Sequence, residues 1–307
     1  MFKFILKRVL KGLLTVWFIW SLIFFVVRLT GDPTDWMLPD GASDQELANL
    51  RSSLHLDMPL HEQYLESLGE MLRGDAGTSY YYKQDVAQLY KERMNNTIKL
   101  AIPAFSLAII LGVSIGTIAA VRHNSAIDRV TMSAAVVGYT LPNFCLGILL
   151  MFFLALKLRW LPSYGTGTWK HYIMPMITLA ASPMATISRL TRSSLLDVTN
   201  REYINGARMK GVNEFTVTLR HALRNSLIPV VTGVSTQLGT ILGGAVTVET
   251  VFSWPGMGTM LVTAAKQRDF PTVQYGILLV AISVTLVNIL VDISYGYLDP
   301  RIREDFK

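Results

Sequence analysis

Six apolar stretches, most of them close to the length of a bilayer crossing, constrain this chain more than any other feature. A spanning helix needs ~20 mostly apolar residues. In 307 residues the candidates are about Val9–Leu29, Ile98–Val121, Val130–Leu156, Ile173–Ile187, Leu227–Val248 and Tyr275–Tyr297. The fourth is interrupted by Pro175 and Pro183, and the fifth is rich in Gly, Ser and Thr. Charged residues make up only 16% of the chain, against about 25% in soluble domains. With 51% of residues apolar as well, such a chain is hard to keep in water as a compact globule, and disorder is excluded by the same composition. The formal charge of +6 invites a nucleic-acid reading, but the 28 Lys and Arg are spread along an apolar chain. Nucleic-acid binding needs a dense basic face. The lone Cys145 cannot form an internal disulfide or a thiolate cage, and reads as a small buried apolar residue.

The first run follows Lys3, Lys7, Arg8 and Lys11, is too long for a signal-peptide core, and lacks a small-residue cleavage site after it. It reads as an uncleaved anchor. Orientation follows from the excess of Lys and Arg in cytoplasmic segments. With both termini in the cytoplasm, 16 basic residues fall inside and 10 outside. Seven of the inside residues sit between Ser188 and Ser226. The spacings Gly112-x-x-x-Gly116 and Gly239-x-x-x-Gly243 read as surfaces where helix backbones approach closely.

Two non-membrane segments stand out, and the expected division is 1–97 followed by a five-helix core over 98–307. The outer segment 30–97 opens a helix at the capping box Ser43-x-x-Glu46, breaks it at Asp57-Met-Pro59, and builds a second amphipathic helix that ends at Gly74. Such helices would cap the bundle or meet a soluble partner. In the inner loop 188–226, the run from Arg201 to Lys210 reads as a helix stopped by Gly211, and Asn213 caps another that leads into Ile228-Pro229. Two helices around a glycine form a lever, which would bind acidic lipid or dock on a protein.

Catalytic chemistry is absent from the sequence. No Gly-x-x-x-x-Gly-Lys-Ser/Thr and no His-Glu-x-x-His occurs, and the literal Gly-x-Ser-x-Gly at Gly112–Gly116 falls inside an apolar span. Asp292 is the clear ionisable residue inside a span, with Glu249 near a span end, too few for a proton-driven pump. Asp292 is expected to bond to a neighbouring helix. A polar-lined bundle without its own energy source is either driven by something else or is a passive channel or receptor.

The stretch Glu202-Tyr-Ile-Asn-Gly-Ala-Arg-Met-Lys-Gly211, followed by Arg220-His-Ala-Leu-Arg-Asn225 and Ile228-Pro229, resembles the coupling loop of ABC importer permeases of the peptide/nickel/glutathione branch. Ordered matches continue through Thr30-Gly-Asp-Pro33, Leu54-His-Leu-Asp-Met-Pro-Leu60, Gln63-Tyr64, Gly74-Asp-Ala-Gly-Thr-Ser79, Leu141-Pro-Asn-Phe144, Arg189-x-x-Arg-Ser-Ser194, Val248-Glu-x-Val-Phe-x-Trp-Pro-Gly256, Arg268-Asp-Phe-Pro271 and Asp299-Pro-Arg301. The general family carries Glu-Ala-Ala where this chain has Asn205-Gly206-Ala207, with Gly211 in register.

The resemblance implies an all-α, six-helix type I permease fold in a bacterial inner membrane. It implies a second permease subunit, two cytoplasmic ATPases that hold ATP and Mg, and an extracytoplasmic binding protein that delivers a small di- or oligopeptide, with glutathione, nickel or a metal chelate as the alternative. No cofactor or metal is expected on this chain. The expected docking residues are Glu202, Tyr203, Asn205, Gly206, Ala207, Arg208, Lys210 and Gly211, and those of the path or gate are Gly239, Gly243, Trp254, Pro255 and Gly256. Gly211→Asp or Ala207→Glu is expected to abolish uptake.

Overall fold

The structure is a computed structural model that describes residues 2–29, 31–38 and 42–298. Thr30, the Asp299-Pro-Arg301 motif and the basic residues at 301, 303 and 307 lie outside the described residues. Helices account for the described secondary structure, apart from an isolated antiparallel bridge between Thr78 and Asp85. The described residues form two units, those up to 97 with 255–289, and 98–254 with 290–298.

The first unit contains α1 (Phe2–Leu29), α2 (Thr34–Met37), α3 (Asp44–Ser53), α4 (Leu60–Arg73), the start of α5 (Val86–Val121), α12 (Met257–Lys266) and most of α13 (Phe270–Leu298). Leu13, Leu14 and Phe18 of α1 are 60–65% exposed, as expected of a surface meant for lipid rather than water. Local sequence signals set the bounds of α3 and α4. Ser43 and Glu46 form the reciprocal capping box, and Gly74 closes α4 in the left-handed region at φ 80°. The amphipathic face of α4 packs on α1 through Tyr64, which stacks on Phe25 and meets Trp20 and Phe24 edge-on or tilted. Its hydroxyl lies 2.9 Å from Ser21 Oγ, and Gln63 Oε1 accepts from Arg28 Nε at 2.9 Å.

The second unit is built on α8 (Lys170–Thr199), which packs against α6 (Ala126–Thr140), α7 (Asn143–Leu150, continued as a π-helix over Met151–Lys157) and α11 (Leu223–Val251). Two short elements precede α11: α9 (Glu202–Met209) and α10 (Glu214–Thr216), the latter followed by a π-helical turn over Val217–Ala222. A core of Leu100, Ala104, Ala108, Met174, Leu179, Ile187, Val248, Phe252 and Trp254 fills this unit.

Of the six expected spans, four match helices that are long and apolar enough to cross a membrane among the described residues, within α1, α5, α10–α11 and α13. The expected third span is α6 and α7, which meet at 109° and would make a fifth crossing if taken together. Pro142 breaks the run because it favours an extended residue before it, and Leu141 is extended. The fourth expected span is not interrupted by Pro175 and Pro183: α8 runs unbroken for 30 residues with both prolines buried. Neighbouring helices can compensate the backbone groups that a proline frees inside a membrane bundle.

The two glycine pairs also separate. A Cβ on Gly116 would collide with the Ser188 carbonyl oxygen, and one on Gly112 would stand 2.9 Å from Ile187 Cβ. The α5–α8 crossing is therefore a backbone-to-backbone contact. Added Cβ atoms on Gly239 and Gly243 would meet nothing within 4 Å. Overpacking costs about 1–3 kcal/mol, so Gly116→Ala is expected to lower the melting temperature of the detergent-solubilised protein. Gly239→Ala, with open space around it and Ala the better helix former, is expected to keep or raise it.

Candidate functional site

The segment from Arg201 to Ser226 is anchored on one side by a small core and exposed on the other. Arg201 is extended and starts α9, Glu202 places an acid in the first turn, and Gly211 at φ 77° ends the motif. After the turn, Asn213 Oδ1 accepts from Thr216 N–H at 2.8 Å and starts α10. Ile204 is fully buried in a small core with Ala120, Leu195, Val217 and Ala222, and Ala207 packs against it. This core fixes α9 to the ends of α5 and α8.

The opposite side of the segment is open. Tyr203 is 48% exposed, Met209 84% and Phe215 75%. Among the expected docking residues, Glu202, Asn205, Arg208 and Lys210 are also exposed, while Gly206 and Ala207 are half-buried. The structure orders several of these against one another. Arg208 donates to both carboxylate oxygens of Glu214, at 2.7 and 3.1 Å, and to Asn205 Oδ1 at 3.2 Å. Tyr203 Oη accepts from Asn225 Nδ2 at 2.9 Å. Asn205 therefore takes an internal partner where the wider family has an acid. Met209 and Phe215 were not among the residues expected from the sequence: Met209 lies between Arg208 and Lys210, and Phe215 falls in the helix after the Asn213 cap.

The expected path residues fall into two sets. Gly239 and Gly243 lie along a face of α11 on which Thr236, Thr240, Thr247 and Thr250 are exposed at helical spacing. The Thr236 and Thr250 hydroxyls donate to carbonyls of the preceding turn, those of Gly233 and Val246. The face is thus polar but uncharged. By contrast Trp254 is 1% exposed and lies edge-on to Tyr172 at 4.6 Å, and Gly256 is buried as the residue that starts α12. Pro255 is half-buried, and its carbonyl accepts from Asn96 Nδ2 at 2.9 Å. Asp292 and Glu249 are both partnered.

In the first unit a cavity of about 350 Å³ is lined by Trp20, Arg28, Glu66, Glu70, Tyr80 and Gln274, among others. Arg28 lies over the Phe24 ring at 3.5 Å. Burial, then repulsion from Glu66 and Asp75, pushes the Glu70 carboxyl above its usual range, and burial holds the Tyr80 phenol up at about 12. No group of three or more His, Cys, Asp or Glu among the described residues is placed to hold a metal ion.

The apolar helices are long enough to cross a membrane several times, and α9 sits between them on its own small core, an arrangement that fits a multi-pass membrane protein. Residues 112–304 match the family described as "Binding-protein-dependent transport system inner membrane component", and residues 1–101 match the corresponding N-terminal family. The chain belongs to this family and is a multi-pass inner-membrane permease subunit of a binding-protein-dependent ABC importer. It is 41% identical over 304 residues to the glutathione transport system permease protein GsiC of Salmonella choleraesuis and 40% identical to that of Escherichia coli K12, covering 99% of each chain. Its fold is similar to an inward-facing structure of the MetNI methionine ABC transporter, with a TM-score of 0.59 and 17% identity over 69% of this chain and 97% of that one. An amino acid ABC transporter with histidines aligns with a TM-score of 0.56 and 13% identity, over 69% and 94%.

Proposed function

We propose that this chain forms one half of the translocation path of an ATP-driven importer for short peptides, glutathione among them. In this reading a second permease completes the path, and two cytoplasmic ATPases carry ATP and Mg and dock on α9 and its counterpart. An extracytoplasmic binding protein delivers the substrate, and both termini of this chain lie in the cytoplasm. The observation that carries the docking role is the exposure of Tyr203, Met209 and Phe215 on a segment whose other side is anchored by the Ile204 core. Exposed apolar residues rimmed by polar ones mark contact sites. ATP binding would draw the ATPases together and tilt α9, and hydrolysis would reset it.

The threonine face of α11 with Gly239 and Gly243 is the proposed path surface. Hydroxyls already bonded to their own helix keep lone pairs free for a hydrated substrate, at a lower cost in the membrane than charged groups. Trp254, Pro255 and Gly256 would fix the end of that helix. A peptide substrate is supported by the 41% identity with a glutathione permease along nearly the whole chain.

The test is uptake by liposomes that contain the complex co-purified with this chain and its binding protein. Expected is ATP-dependent accumulation of labelled glutathione or a dipeptide, competed by excess unlabelled peptide. Flux without ATP and without ATPase subunits would replace the reading with a passive channel. ATP-dependent uptake of a nickel chelate alone would replace the peptide.

A further inference from the structure

We propose that Asp128 and Arg192 are a positioning pair that ties α6 to the coupling lever, so that movement of α9 reaches the bent α6–α7 arm. This rests on the docking role proposed for α9. Arg192 Nε and Nη2 donate to the two oxygens of Asp128 at 2.6 and 2.7 Å. The Asp128 side chain is 4% exposed and that of Arg192 24%. The carboxylate is held from its own side as well. Asn124 N–H donates to Oδ2 at 2.9 Å from a left-handed backbone at φ 61°, while Asp128 N–H donates to Ser125 Oγ, which caps α6. A carboxylate gripped by the start of its own helix and by a planar guanidinium fork fixes orientation as well as distance.

Stability alone is a weak reason to bury such a pair, because desolvation offsets much of its attraction and apolar packing of equal volume does as well or better. Its place in the helix supplies another reason. Gly116 of α5 rests on the turn of α8 formed by Ser188 and Thr191. The Ser188 and Thr191 hydroxyls are buried there without a hydrogen-bond partner, whereas Thr178 and Thr186 of the same helix each bond back one turn. At this level α8 therefore meets α5 by packing and α6 by a directional bond. One turn further on, Leu195 enters the small core that holds Ile204 of α9. The route runs from Ile204 through Leu195 and Arg192 to Asp128, then along α6 to its bend. Beyond the bend, Asn143 and Gly147 of α7 lie against Gly244 and Val251 of α11, the helix with the open threonine face. An apolar contact at 128–192 would let α6 slide over α8, but the fork does not.

The experiment compares the unaltered complex with Asp128→Asn, Arg192→Gln and Arg192→Lys in liposomes, reading ATPase co-purification, ATP hydrolysis and peptide uptake per ATP. Expected is normal co-purification, hydrolysis within about twofold, and uptake per ATP reduced about tenfold in Asp128→Asn and Arg192→Gln, a size typical of coupling between sites. Arg192→Lys keeps the charge without the fork and is expected to fall between. Unchanged uptake per ATP in assembled variants would overturn the proposal. Should the charge-removing variants fail to assemble, Arg192→Lys decides alone: wild-type uptake per ATP overturns the proposal and a reduction supports it. Failure of ATPases to co-purify with the unaltered chain would overturn the docking role, and this inference with it, before any variant is compared.

Discussion

Gly206→Trp is expected to leave the chain in the membrane at its normal level and to abolish uptake. The position is sterically free within the chain: a Cβ there meets nothing within 4 Å. Trp is also a better helix former than Gly, by a few tenths of a kcal/mol, so α9 should persist. The indole would stand among Tyr203, Met209 and Lys210, the neighbours at three and four residues on a helix. On the docking role proposed for α9, it would fill the space that an ATPase enters. Losing the central contact of such an interface costs about 2 kcal/mol or more. The checks are the amount of ATPase that co-purifies and the rate of peptide uptake, both of which should collapse together. Wild-type values for both would remove α9 from the docking surface. Ala207→Glu and Gly211→Asp report less cleanly. Ala207 packs against the Ile204 core, and Gly211 sits at a positive φ where an aspartate is strained.

What the sequence disclosed about this molecule was mostly local chemistry. The Ser43–Glu46 box, the Gly74 stop, the Gly211 turn and the Asn213 cap each depend on residues within a few positions of one another, and each is present as expected. Hydropathy located the long apolar helices but was blind to direction. It could not see the turn at Leu141–Pro142, because the residues on both sides are equally apolar. Nor could spacing tell which glycine pair is packed, since Gly112 and Gly239 sit in identical Gly-x-x-x-Gly patterns and only the neighbouring helix decides. The pairing of Asp128 with Arg192 crosses 64 positions, and no local signal encodes it. Exposure of Met209 was hidden for a related reason: a methionine between two basic residues reads as filler until its surroundings are known.

A longer-range pairing joins two motifs of this chain that lie far apart in sequence. Asp269, in Arg268-Asp-Phe-Pro271, is fully buried and accepts from Ser79 Oγ at 2.5 Å, Tyr80 N–H at 2.9 Å and Thr272 Oγ1 at 2.8 Å. Ser79 ends the Gly74–Ser79 motif, and its oxygen in turn accepts from Tyr82 N–H at 2.8 Å. The carboxylate thereby holds the 79–82 turn against the start of α13, beside Tyr90, whose hydroxyl donates to the Thr272 carbonyl at 2.9 Å. Asp269→Ala would strand at least two buried hydroxyl donors, each losing a charge-assisted bond of about 1.5–3 kcal/mol, for a total of roughly 3–6 kcal/mol. The melting temperature of the solubilised chain should fall by on the order of 10 °C, and membrane levels should drop with it. Asp269→Asn retains one acceptor oxygen for the Tyr80 amide but turns an NH₂ toward hydroxyls that also donate, so roughly half the loss is expected. Equal stability of Asp269→Ala and the unaltered chain would mean that the turn and α13 hold together by packing alone.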